Sequence, residues 1–277
     1  MALIAVLWIV AALSLMVTGL TYTVRQQIQS AATQRDQVTG QALGEAAIAL
    51  ALQQILASSQ RPQAIVSDTV PYAGAAIEVE VAPLDGLIPL NGSGAPLLAA
   101  LLQFAGGLAQ GPAQTLAQTL VEWRDGIPQL DLSQAANANA PRRFEAPEDL
   151  MRVPGVDYAL YARLAPLVSA DLAGAGRVNP QAAPPGVLAV LAQGNDVRVA
   201  QYLGQRASGQ PGADASGFNP AFVGSGAGSG ELYRLRASVP LEAGKILLLT
   251  RDVALSASRT APWRILRTQR QIVAPSG

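Results

Sequence analysis

The side chains that could carry chemistry make a short inventory. Histidine and cysteine are both absent from the 277 residues. That closes imidazole bases, thiolate nucleophiles, disulfides and zinc–thiolate sites, and with them the Ser-His-Asp and Cys-His mechanisms. Oxygen chemistry remains. Asp85, Glu122, Asp125 and Asp131 are the acids that could serve as calcium oxygens, but calcium takes roughly 6–8 ligands and none of these residues falls at EF-hand spacing. Paired carboxylates could hydrolyse a glycoside only across a cleft, and nothing in the pattern sets two of these acids opposite each other. Glu122, Arg124 and Asp125 read as a helix-end ion-pair cluster, worth about 0.2–1 kcal/mol if exposed. No enzyme is expected.

The elements that must position these residues begin with an apolar run. Residues 1–24 carry no charge, and the first charged side chain is Arg25. At about 1.5 Å per helical residue, a run of this length spans roughly one bilayer core of 30 Å. Leu3, Leu7, Val10 and Leu15 would supply its apolar packing. Helical character continues without proline to Ser58-Ser59, with Ile28, Ala31, Ala32, Val38, Ala42, Ala46, Ala49 and Leu50 as the expected apolar stripe and Gly40 and Gly44 as soft points. Tyr72 to Pro83 alternates as a strand, and Asp85-Gly86 marks a turn. Three pairs of helices follow, turning at Gly106-Gly107, Pro154-Gly155 and Gly194-Asn195. Strand patterning returns at 232–237, 246–249, 251–258 and 264–272.

The fold class expected is therefore α+β. A long N-terminal helix, transmembrane in residues 1–24, continues with the first strands through 25–91. An α-helical domain at 92–230 is inserted between strands and ends in a Gly/Ser-rich flexible connector, 208–230. Strands in 231–277 complete a small antiparallel sheet.

Two motifs point elsewhere. Val153-Pro154-Gly155-Val156-Asp157 resembles the turn of helix-hairpin-helix DNA-binding modules, so a membrane-tethered DNA-binding protein is the alternative reading. However, Asp157 replaces the second glycine and would repel phosphate. Acids and bases also cancel at 19 against 19, which argues against a general polyanion binder. Gly224 to Gly230 lacks the Lys-Ser/Thr of a phosphate loop. No nucleic acid is expected.

Five stretches in order resemble the K-type minor pseudopilin of the type II secretion system, within the type IV pilin-like proteins. They are Met1-Ala2-Leu3-Ile4-Ala5-Val6-Leu7-Trp8-Ile9-Val10, Asp85-Gly86-Leu87-Ile88-Pro89-Leu90-Asn91 and Val121-Glu122-Trp123-Arg124-Asp125-Gly126. Glu148-Asp149-Leu150-Met151-Arg152-Val153-Pro154-Gly155-Val156 and Arg177-Val178-Asn179-Pro180-Gln181-Ala182-Ala183-Pro184-Pro185 complete the set. Leu87 and Pro89 depart from the family, which usually carries a basic residue and a second asparagine there.

The resemblance implies a leader before Met1, removed by a prepilin peptidase that then methylates the Met1 amine. It implies a single-pass protein of the cell inner membrane with its soluble domain in the periplasm, although Arg25 and Arg35 after the apolar run would by charge alone orient it the other way. Implied partners are two smaller minor pseudopilins in a tip complex, the major pseudopilin, the inner-membrane assembly platform and membrane lipid. Calcium is possible by resemblance, with no ligand set identified and no other cofactor. Most pilins carry a glutamate at position 5 that is thought to pair with a neighbour's N-terminal amine. Ala5 stands there in this chain, which fits a terminal subunit that initiates or caps the pseudopilus for export of folded proteins.

Overall fold

A computed structural model describes residue 8 and residues 34–126, 143–172, 176–208, 213–224, 231–256 and 260–274. Met1, Leu3, Ala5, Leu7, Val10, Leu15, Ile28, Ala31 and Ala32 lie outside the described residues, as does the rest of the 1–24 run apart from Trp8, which is exposed. Among the described residues no helix is long and apolar enough to cross a membrane.

The described helices are α1 (34–57), α2 (Ala95–Ala100), α3 (Gln110–Asp125), α4 (Tyr158–Leu164), α5 (Pro185–Leu191) and α6 (Asp196–Ala207). The strands are β1 (Val66–Tyr72), β2 (Ala75–Pro83), β3 (Ile88–Pro89), β4 (Val168–Ser169), β5 (Leu232–Pro240), β6 (Ile246–Leu255) and β7 (Trp263–Val273). Five of them form one antiparallel sheet in the order β1-β2-β5-β6-β7, while β3 and β4 pair in parallel on their own.

Helix α1 lies across one face of the large sheet. Ile77, Val79 and Val81 of β2 alternate inward, as do Tyr233, Leu235, Ala237 and Val239 of β5 and Leu247 and Leu249 of β6. They form one core with Ala47, Ile48, Ala51, Leu52 and Ile55 of α1. The helix therefore presents a different stripe from the one expected. Val38, Ala42 and Leu50 are exposed, and the buried line starts at Gly40 and Gly44. The two glycines are the reason. A Cβ on Gly44 would stand 3.2 Å from Leu249 Cδ2 and 3.3 Å from Val239 Cγ2, and one on Gly40 would stand 2.5 Å from Leu241 Cδ2. Close approach of helix to sheet needs residues without side chains there. A reading that ranks residues by apolarity passes over them.

The strand expected from Tyr72 is a hairpin instead. Ala73 and Gly74 take φ of +49° and +83°, the left-handed pair of a two-residue turn, and β1 lies before it. The two segments expected within 246–258 are one strand, β6, whose pairing with β7 shifts register between Asp252 and Val253.

Because β2 and β5 are neighbours, residues 84–231 leave the sheet and return beside the strand they left. They build a second core of their own, from Leu84, Leu87, Ile88 and Leu90 through the helices to Phe218 and Phe222. Each expected helix pair is present, with the leading member at Pro147–Arg152 wound as a 3-10 helix. Leu101–Ala105 extends α2 as a π turn. The described part of the connector is packed: within 213–224, Phe218 and Phe222 are 4% and 6% exposed, and Val178 bridges to Val223.

Substituting Gly44→Val should overpack the α1–sheet core and lower unfolding free energy by about 1–3 kcal/mol. Gly204→Ala, on α6 where an added Cβ meets nothing within 4 Å, should raise it by about 0.5–1 kcal/mol. Urea unfolding of both variants checks the pair.

Candidate functional site

The sequence motifs converge on the joint where the helical body meets the sheet. Asp85, just after β2, is 9% exposed, and Asn179, deep in the inserted body, is 6% exposed. The Asn179 amide donates to the Asp85 carboxylate at 3.3 and 3.4 Å and to the Gln63 carbonyl at 2.9 Å, while its backbone N–H donates to the Asp85 carbonyl at 2.8 Å. One side chain thus ties the inserted body to both ends of the β1–β2 hairpin. Gly86 makes the closeness possible: a Cβ there would fall 2.0 Å from the Ala182 carbonyl oxygen.

Asn91 makes a second tie. Its amide donates to the carbonyls of Phe144 (2.8 Å) and Ala170 (2.7 Å), and its side-chain oxygen accepts from the Phe144 N–H at 2.9 Å. Arg124, from the last turn of α3, makes a third. It donates to the Leu90 and Ser93 carbonyls at 3.0 and 2.7 Å and grips both oxygens of Asp125 at 2.7 and 2.9 Å. That hydrogen bond holds the Asp125 carboxyl below the usual carboxylate range. Trp123 stacks on Phe144 with ring centroids 4.7 Å apart. Arg206 of α6 reaches the turn after Asn179, donating to the Ala183 carbonyl at 2.7 Å. In the same turn, the Gln181 carbonyl accepts from Ile65 at 3.4 Å.

The expected ion-pair cluster is only partly formed. Glu122 is outside it and accepts from Gln118 at 3.3 Å. The three described carboxylates raised as calcium oxygens are separately engaged, Asp85 by Asn179, Asp125 by Arg124 and Glu122 by Gln118; Asp131 lies outside the described residues. No group of three or more acids that could hold a metal ion occurs among the described residues. The helix-hairpin-helix turn spends its carboxylate on itself, since Asp157 accepts from Leu160 N at 2.7 Å as the cap of α4. Gly155 takes φ of +92° there, and Pro154 and Gly155 line a groove with Leu108, Pro112 and Leu116 that carries no basic side chain.

A charged seam that sequence reasoning missed joins the outer face of the sheet to the inserted body. Arg234 of β5 grips both oxygens of Asp252 at 2.7 and 2.9 Å, and Asp252 is 2% exposed. Arg267 of β7 stands 3.9 Å from the same carboxylate. Arg234 also reaches the Pro166 carbonyl of the inserted body at 3.5 Å. Asp171 sits nearby with one oxygen buried and unpartnered among the described residues, and burial pushes its carboxyl up despite Arg267 and Arg234. The available signal was an opposite-charge pair at outward register positions of neighbouring strands, Arg234 of β5 and Asp252 of β6, on a face that alternation alone assigns to solvent and the inserted body covers.

An α1 helix laid on a small antiparallel sheet, with a helical body inserted between two neighbouring strands, defines an α+β fold of the pilin-like kind. No family model and no curated protein matches the chain. Among solved structures, it shares its fold with a chain of the GspK-GspI-GspJ complex from the enterotoxigenic Escherichia coli type 2 secretion system. The TM-score is 0.50, at 17% sequence identity, over 90% of this chain and 99% of that one. The resemblance drawn from the five motifs is thus borne out at the level of fold.

Asn91→Ala orphans two carbonyls and an N–H, and should cost at least about 1–3 kcal/mol while shifting Trp123 fluorescence through its Phe144 neighbour. Asp171→Asn should stabilise near neutral pH. The raised folded-state value means that stability falls as pH rises from the ordinary aspartate range through the raised one, so the variant's advantage should vanish in acid. Unfolding measured at pH steps reads this directly.

Proposed function

We propose that this chain is a minor pseudopilin of the K type, seated at the tip of a type II secretion pseudopilus. The observation that carries the reading is the inserted helical body between β2 and β5, in a chain whose fold covers nearly all of a chain from the GspK-GspI-GspJ complex. An insertion of this size beside the sheet adds bulk at one end of the subunit, which suits a terminal position and hinders stacking of another subunit above it.

Ala5 supports the same position. A buried carboxylate without a partner is costly, so an acid at position 5 calls for a neighbouring amine to neutralise it. A subunit with alanine there offers no carboxylate to a further subunit's amine and closes the stack. In this reading the apolar run 1–24 anchors the chain in the inner membrane, with Leu3, Leu7, Val10 and Leu15 packing on the helices of two smaller minor pseudopilins. The soluble part lies in the periplasm. A prepilin peptidase processes the chain, Met1 receives the methyl group, and the assembly platform and major pseudopilin extend the fibre beneath it. The role is structural, with no catalysis and no cofactor.

Co-expression with candidate smaller minor pseudopilins and size-exclusion chromatography tests the proposal. A stable ternary complex is expected. A lone monomer under every combination would overturn it.

A further inference from the structure

The two edges of the large sheet are unlike. β1 ends one side, and Pro71 leaves that edge with a residue that has no N–H to donate. β7 ends the other side with 11 residues, no proline and no lysine. It is bonded to β6 alone, and its far side meets no other strand among the described residues. Its one irregularity is at Leu266, which the register passes over between Arg267 opposite Asp252 and Ile265 opposite Val253. From Arg267 to Val273 the ladder is regular, and residues 268–273 are exposed. A long, regular and exposed edge is a template for another strand, and proteins ordinarily blunt such edges.

Charge selects the occupant. β7 carries Arg264, Arg267 and Arg270 and no acid. Arg267 is drawn onto Asp252, but Arg270 donates to the neutral Gln41 and Arg264 is exposed. A second copy laid antiparallel along the same edge would set arginines against arginines, which is unfavourable across strands. The acidic side of the sheet, with Asp68, Glu78 and Glu80, lies behind the Pro71 edge. At the far end of β7, Ile272 and Val273 are 39% and 37% exposed beside Ile246 at 40%, so alternate apolar side chains have a place to rest.

We propose that the free edge of β7 receives an extended acidic segment of another protein, which joins the sheet as a sixth strand. Main-chain hydrogen bonds would supply affinity; Arg270 on the α1 face, and the Ile246–Val273 pair on the other face, would supply selectivity for a strand that alternates acidic and apolar residues. The surface belongs to the sheet and does not require the pseudopilin assignment.

Hydrogen exchange of the full chain in detergent micelles tests this with a defined probe, an eight-residue peptide of alternating glutamate and valine, against its lysine counterpart. The glutamate peptide should slow exchange across 267–273 by at least about tenfold at saturation, in the manner of newly paired strand amides. The Arg270→Glu variant should weaken binding by about tenfold or more, and salt should weaken it too. Successive residues send their N–H groups to opposite sides of a strand, so one of Thr268→Pro and Gln269→Pro breaks the ladder to β6 and the other only the free edge. The variant that keeps the native melting temperature should lose the peptide. No slowed exchange at millimolar peptide, equal protection by the lysine peptide, or full binding to the native-melting proline variant would overturn the proposal. Protection that grows with protein concentration in the absence of peptide, with a dimer in sedimentation, would make the occupant a second copy and overturn it as well.

Discussion

Asn179 and Asp85 meet in a place from which water is nearly excluded, and the architecture hangs on that meeting. The chain leaves the sheet after β2 and must return beside it as β5, so the inserted body has to be held at its root or it would swing on two tethers. The buried amide spans the gap by binding Asp85 after β2 and Gln63 before β1. In low dielectric such bonds are strong when made and expensive when broken. Asn91 and Arg124 extend the hold, each satisfying carbonyls that irregular chain would otherwise leave unpaired.

The remainder of the joint is polar where a single domain would be greasy. Two apolar cores lie on either side of it, one under α1 and one within the helices. Between them runs the seam of Arg234, Arg267, Asp252 and Asp171. A buried ion pair gives direction more than stability, and this one fixes which face of the sheet the helical body rests on. The fold therefore reads as a standard sheet-and-helix unit carrying a second body at a set angle.

Much of this was legible in the residues. Alternation in β2 and β5 placed their inward faces correctly because one face is buried and the other wet. The three helical pairs announced themselves through glycine turns. The face of α1 was misread because its closest contacts are made by Gly40 and Gly44, which carry no apolar side chain to count. β1 was missed because its residues are exposed along most of their length, so no burial shaped their pattern. The ties of the joint were visible only as motif letters. That Asn179 answers Asp85 across 94 positions is a fact of tertiary structure that no local window contains.

The central claim is one of position, that this subunit stands at the end of a fibre. The chain has no cysteine of its own, and Val197 on α6 is 79% exposed, so Val197→Cys gives a single attachment point for a gold label. Electron microscopy of pseudopili assembled with the labelled chain then measures where it sits. One label at one end of each fibre is the result the account predicts. Labels spaced along the fibre length would contradict it.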